Sequence, residues 1–271
     1  MSTSRSNRHN AIIALIVFAC AILSRSVLFA WSDYAELVRQ LPEVIRWLEQ
    51  PMRWLCICWL GLFIAHRTKW RMLPHALGLA APAARALLFA FLVTSPMLLG
   101  PLLLGRLSSE IELPDLLFSA AVWPLAEEIL FRGYAFGQLH REGGLGLWSA
   151  AILTGAIFGV LHLSQASVQQ LPLSGEIGTV LLISVGGILF AWLYTRWNFN
   201  LWVPFGLHLF MNLWWSVFDM AENPLGGWVP NLLRGLTVGL AIILTLFRDR
   251  LRVFVPGMAE QKETSQAHSG E

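Results

Sequence analysis

Eight stretches of the chain are apolar with few interruptions, near Ala11–Ala30, Trp54–Ala65, Ala83–Leu104, Leu113–Phe136, Leu147–Ser167, Thr179–Tyr194, Leu201–Phe218 and Val229–Phe247. Each reads as a helix, because a helix satisfies its own backbone in lipid and roughly 20 apolar residues cross a bilayer. The second stretch falls short of that length, so it is expected to extend into its flanks. The polar connections sort by sign. Arg5 and Arg8 precede the first stretch; Arg67, Lys69, Arg71 and Arg85 follow the second; Arg141, Arg196, and Arg248, Arg250 and Arg252 follow the fourth, sixth and eighth. The intervening connections are neutral or acidic, with Glu110, Glu112 and Asp115, then Glu176, then Asp219 and Glu222. Positive charge concentrates on the cytoplasmic side, so both termini are expected in the cytoplasm.

One connection breaks the pattern. Asp33–Arg53 interleaves Glu36, Arg39, Glu43, Arg46, Glu49 and Arg53 with Leu37, Leu41, Val44, Ile45 and Leu48 at helical spacing. That periodicity predicts an amphipathic helix on the outer surface, serving as a packing cap or as a lid that docks substrate. Arg5 and Arg8 ahead of an apolar run also resemble a signal peptide. The run resumes after Ser24-Arg25-Ser26, so an uncleaved anchor is expected. The segment from Pro256 to Glu271 is polar and reads as a disordered cytoplasmic tail.

Composition supports the same class. The chain is 56% hydrophobic and only 13% charged, where soluble domains carry about 25% charged residues. The expectation is an all-α, polytopic helical bundle of eight spans in the cell (plasma or inner) membrane. It forms one domain over residues 1–255, with its chemistry in 113–218. A net charge of +2 gives no reason to invoke nucleic acid; the expected partners are membrane lipid and a protein or peptide substrate. Cys20, Cys56 and Cys58 all lie in apolar runs, without disulfide or metal spacing, and read as packing residues.

The charges inside the apolar stretches are the candidates for chemistry. Glu127 and Glu128 stand side by side in the fourth stretch, with Arg132 four residues after the second. An ionised carboxylate at bilayer depth costs roughly 2.5 kcal/mol or more, so each needs a partner or a task. Four residues place Glu128 and Arg132 on one helix face, where they can pair structurally. Glu127, rotated by about 100°, is left over as the chemical group. Of seven histidines, only His162 and His208 fall within spans, each accompanied at four-residue spacing, by Phe158 and by Asn212. Counting roughly 1.5 Å per residue puts Glu127, His162, His208 and Asn212 all near the middle of the bilayer. Gly155 and Gly159 form a Gly-x-x-x-Gly packing face, and Gly186-Gly187 is expected to interrupt the sixth helix.

These residues stand in three motifs: Glu127-Glu-Ile-Leu-Phe-Arg132, Phe158-Gly-Val-Leu-His162 and His208-Leu-Phe-Met-Asn212. In that order, on separate apolar segments, they resemble the CAAX prenyl protease and bacteriocin-processing (CPBP) group of intramembrane proteases. The resemblance covers roughly residues 113–218. It implies an eight-helix membrane endopeptidase in which Glu127 and His162 activate water while His208 and Asn212 steady the oxyanion. The group has also been labelled metalloprotease, and Glu127, His162 and His208 are possible zinc ligands. The metal-free reading is preferred, because asparagine suits an oxyanion better than a metal. No His-Glu-x-x-His or Gly-x-Ser-x-Gly motif is present. Two other classes stay open: a non-catalytic scaffold or immunity protein that keeps the polar cluster for structure, and a proton-coupled transporter, for which paired repeats are wanting.

Overall fold

The computed structural model describes residues 2–104, 107, 108 and 111–251, and every regular element among them is helical. The expected disordered tail from Pro256 lies outside the described residues. Helix α1 (Ser2–Phe29) packs on α3 (Glu43–His66), with Ala14, Phe18 and Ala21 buried against Trp54, Cys58 and Leu62. The Trp54 indole N–H donates to the Ala21 carbonyl at 3.0 Å. A short helix α2 (Ser32–Gln40) precedes α3, and the chain breaks between them at Leu41-Pro42. This corrects the single amphipathic helix expected over Asp33–Arg53. Pro42 disfavours a helical residue before it, and the second half of the segment becomes the first turns of α3. The short second stretch is thereby lengthened to 24 residues.

A four-residue helix α4 (Leu73–Ala76) leads to α5 (Ala83–Val93) and α6 (Ser95–Leu103), which meet at a bend of 41°. Pro96 follows directly on the break. Thr94, fully buried at the corner, donates to the Phe91 carbonyl and accepts the Trp214 indole N–H.

The centre of the molecule is one rod, residues 113–142, that changes pitch along its length. It runs from α7 (Leu113–Leu117) through a wide π turn (Phe118–Val122), α8 (Trp123–Glu128) and two further π segments (Ile129–Phe136 and Gln138–Glu142). Pro124 lacks the amide hydrogen that would reach the Ala120 carbonyl, so the first wide turn sits where the α-type ladder cannot close. Every residue from Ile129 to Phe136 is buried. Phe131 meets Phe18 edge-on at 5.3 Å and Phe158 at 4.8 Å.

The rod is followed by α9 (Leu147–Leu161), a 3₁₀ turn (His162–Ser164), α10 (Ala166–Gln169), α11 (Leu173–Arg196), α12 (Trp202–Val217) and α13 (Trp228–Leu251). Two expectations need correction here. The fifth helix does not run unbroken to Ser167, and Gly186-Gly187 does not interrupt the sixth, because α11 continues through both glycines. Gly187 serves close approach instead, since a Cβ there would lie 3.0 Å from Gly155 Cα, while one on Gly186 would meet open space. A Cβ on Gly155 would lie 2.9 Å from the Ser184 carbonyl oxygen, and one on Gly159 would lie 2.5 Å from that of Val180. Gly159→Leu is therefore expected to destabilise the α9–α11 contact by about 1–3 kcal/mol, as overpacking does. An unchanged thermal midpoint of the purified variant would contradict this packing.

Ser6–Phe29, Leu147–Ser164, Leu173–Arg196 and Trp228–Arg248 are each long and apolar enough to cross a bilayer, and α5 with α6 make a fifth span if taken as one broken helix. Their outward faces carry exposed Ile12, Ile16, Ile152, Leu181, Val185, Leu236 and Ile243. Such surfaces need lipid as solvent. The protein is a multi-pass helical membrane protein.

Candidate active site

Between the rod, α9, α11, α12 and the start of α13 lies a cavity of about 630 Å³. Glu127, Arg132, Phe158, His162, His208 and Asn212 all line it. Three motifs on three different helices thus reach one wall. Glu128 alone of the seven motif residues is set back, fully buried behind its neighbours.

Glu128 and Arg132 form an ion pair, Arg132 Nη1 donating to Glu128 Oε1 at 2.8 Å. The four-residue spacing survives the switch to π geometry after Glu128. The guanidinium is held between two rings, 4.7 Å from the centroid of Phe158 and 5.2 Å from that of Phe190. Gly187 leaves room for it, since a Cβ there would lie 3.4 Å from Arg132 Nη2.

His208 stands between the two glutamates. Its Nδ1–H donates to Glu128 Oε1 at 2.9 Å, and its Nε2 lies 3.6 Å from Glu127 Oε2. The carboxylate that the sequence left without a countercharge therefore faces an imidazole 81 positions away. The Nδ1 contact ties Glu128 to His208 as well as to Arg132. The edges of Phe158 and Phe190 bound the His208 ring at 6.2 and 5.8 Å.

His162 opens the 3₁₀ turn that ends α9, instead of lying inside the helix as the depth count expected. Its Nδ1–H donates to the Phe158 carbonyl at 2.8 Å, and Phe158 packs edge-on against it at 4.7 Å. With Nδ1 so used, Nε2 is the ring's other edge. Asn212, one turn beyond His208, gives one amide hydrogen to the Ser119 carbonyl at 3.3 Å and keeps the other. That carbonyl belongs to the first π turn of the rod.

Among the described residues no three His, Cys, Asp or Glu side chains are grouped as a ligand set, where a catalytic zinc takes three protein ligands. Glu128 is committed to Arg132 and His208, and each histidine donates its Nδ1–H to an oxygen, which leaves Nε2 as its ligating edge.

Phe190, Trp123 and Arg234 also line the cavity and were not singled out from the sequence. For Phe190 a signal existed, since it lies three residues after Gly187 and so shares its helix face. Reading the glycines as a break concealed it.

Residues 109–214, which contain all seven motif residues, match the family model described as Type II CAAX prenyl endopeptidase Rce1-like. Over 97 residues the chain is 32% identical to Putative membrane peptidase YdiL of Bacillus subtilis (strain 168). That alignment takes in 36% of this chain and 34% of the relative, so the chain spans about a third of the curated protein it matches. No solved structure matches it. The resemblance carried by the three motifs and the match of the family model fall on the same residues: the segment 109–214, which supplies most of the cavity lining, is similar to the Rce1-like family.

Proposed function

We propose that the protein is an intramembrane endopeptidase that hydrolyses a peptide bond in a membrane-associated protein or peptide. The observation that carries this reading is a carboxylate, Glu127, on the wall of a cavity that His162, His208 and Asn212 also line. Among the described residues we read α1, α3, α5 with α6, the rod, α9, α11, α12 and α13 as eight spans of the cell membrane, with both termini in the cytoplasm.

In the charge arrangement proposed here, Glu127 and Glu128 are ionised and are balanced by Arg132 and a protonated His208. Glu127 takes a proton from water as the oxygen attacks the scissile carbonyl, and the Nε2 lone pair of His162 accepts a hydrogen bond from the water's other hydrogen and so orients it. The carbonyl oxygen gathers charge and is met by two donors. One is His208 Nε2–H, whose ring Glu128 fixes through Nδ1; the other is the free amide hydrogen of Asn212. As the C–N bond breaks, the proton held by Glu127 passes to the departing amine. The fixed donors act where charge develops, and removing one typically costs 10²–10³ in rate.

This mechanism uses no metal. Strong chelators should leave activity unchanged, purified active protein should hold no stoichiometric zinc, and His208→Ala should lower kcat by about 10²–10³. Elemental analysis with a chelation-and-rescue assay checks this. One zinc per chain, lost with activity and restored with it, would overturn the assignment of His208.

A further inference from the structure

Two guanidinium groups line the cavity, Arg132 and Arg234. Arg132 is met by Glu128 at 2.8 Å. Arg234 has no carboxylate within ion-pair distance among the described residues. The two acids that share the cavity, Glu127 and Glu222, do not reach it.

Neutral groups hold Arg234 in place. Nη1–H donates to Asn231 Oδ1 at 3.1 Å, Nη2–H donates to the Pro224 carbonyl at 3.0 Å, and the Trp215 ring centroid lies 4.6 Å away. The connection that supplies Pro224, residues 218–227, is itself tied down. Asn223 Oδ1 accepts the Leu225 and Gly226 amide hydrogens, Asn231 Nδ2 donates to the Leu225 carbonyl at 2.9 Å, and Leu225 packs over Gly178 of α11. The guanidinium is thus fixed six residues into α13, about 9 Å along its axis. A fixed, unpaired cation on the wall of an intramembrane cavity marks a ligand site more readily than a structural one. Three of its five N–H donors stay uncommitted, in a fork that matches a carboxylate. The same cavity is also lined by apolar Met97, Leu182, Ile183 and Met211.

We propose that Arg234 is a specificity-determining residue that binds a carboxylate on the substrate, so that the preferred peptide is apolar apart from one acidic group displaced from the scissile bond. This rests on the protease reading. The carboxylate is an acidic side chain or a free chain terminus, and the test separates the two.

The probe is a quenched leucine- and alanine-rich peptide prepared in matched forms: with Glu, Gln or Lys scanned through its positions, and with a free or amidated C-terminus. For wild-type protein in nanodiscs, one carboxylate placement should raise kcat/KM over its amide counterpart by about tenfold or more, mainly through KM. A preference in the Glu-against-Gln arm assigns a side chain; one in the free-against-amidated arm assigns the terminus. Arg234→Gln should bring that ratio near one, whatever the absolute rate, and Arg234→Glu should favour the Lys peptide. If Arg234 only fastens the 218–227 connection, its loss slows all forms alike and the ratio persists, which overturns the proposal. So does a wild-type ratio near one at every placement. If no form is cleaved, the protease reading is in difficulty, but the inference is still decided by binding. Fluorescence anisotropy of the same peptides on Glu127→Gln protein should show the same Arg234-dependent preference, and equal affinities would overturn it.

Discussion

Glu127→Gln protein should insert, accumulate and unfold thermally like the wild type while losing cleavage altogether. The substitution keeps the side chain's size and removes only the proton acceptor. The imidazole beside it, His208 Nε2 at 3.6 Å, stays anchored through Nδ1 to Glu128. A general base contributes roughly 10²–10⁴ in rate, and with peptide hydrolysis so slow in water such a loss reads as inactivity. Turnover in purified protein, measured beside a thermal unfolding curve, checks both halves. Near-normal turnover would remove Glu127 from the chemistry.

Arg132→Ala should instead act on the fold. Glu128 is fully buried, and its Oε1 bonds both Arg132 and His208. Removing one partner of a buried pair costs roughly 3–5 kcal/mol, a large part of the stability of most domains. The rings of Phe158 and Phe190 would also close on an empty space, loosening the edges that bound His208. The expected result is low abundance and a markedly lower unfolding midpoint, with the remaining activity reduced in step. Normal thermal stability joined to complete inactivity would move Arg132 into the reaction itself.

The helical bodies were legible because lipid imposes a simple rule: an apolar run of the right length must satisfy its own backbone. The Glu128–Arg132 pair was legible for a local reason, being four residues apart on one face. What the sequence withheld was set by long-range contact or by breaks in helical regularity. The contact between Glu128 and His208 joins residues 80 apart, and nothing in the local pattern of either reports it. Helical counting also assumes a constant pitch, whereas the rod widens to π turns on both sides of the glutamates. The same assumption carried His162 into a helix that ends one residue earlier. Asp33–Arg53 misled for another reason: its periodicity is real, but Pro42 divides it and the second part is drawn into α3. Arg234 escaped notice because it sits in an otherwise ordinary apolar stretch, and only the cavity shows that its charge is unmatched.

The central claim is that this cavity cuts a peptide bond through Glu127. The most direct measurement compares new protein termini in the membrane and secreted fractions of cells that carry either the wild-type chain or Glu127→Gln at equal abundance. The account predicts termini present only with the wild-type chain, with the uncut substrate accumulating in the variant. Identical sets of termini from the two, with both proteins folded in the membrane, would contradict it.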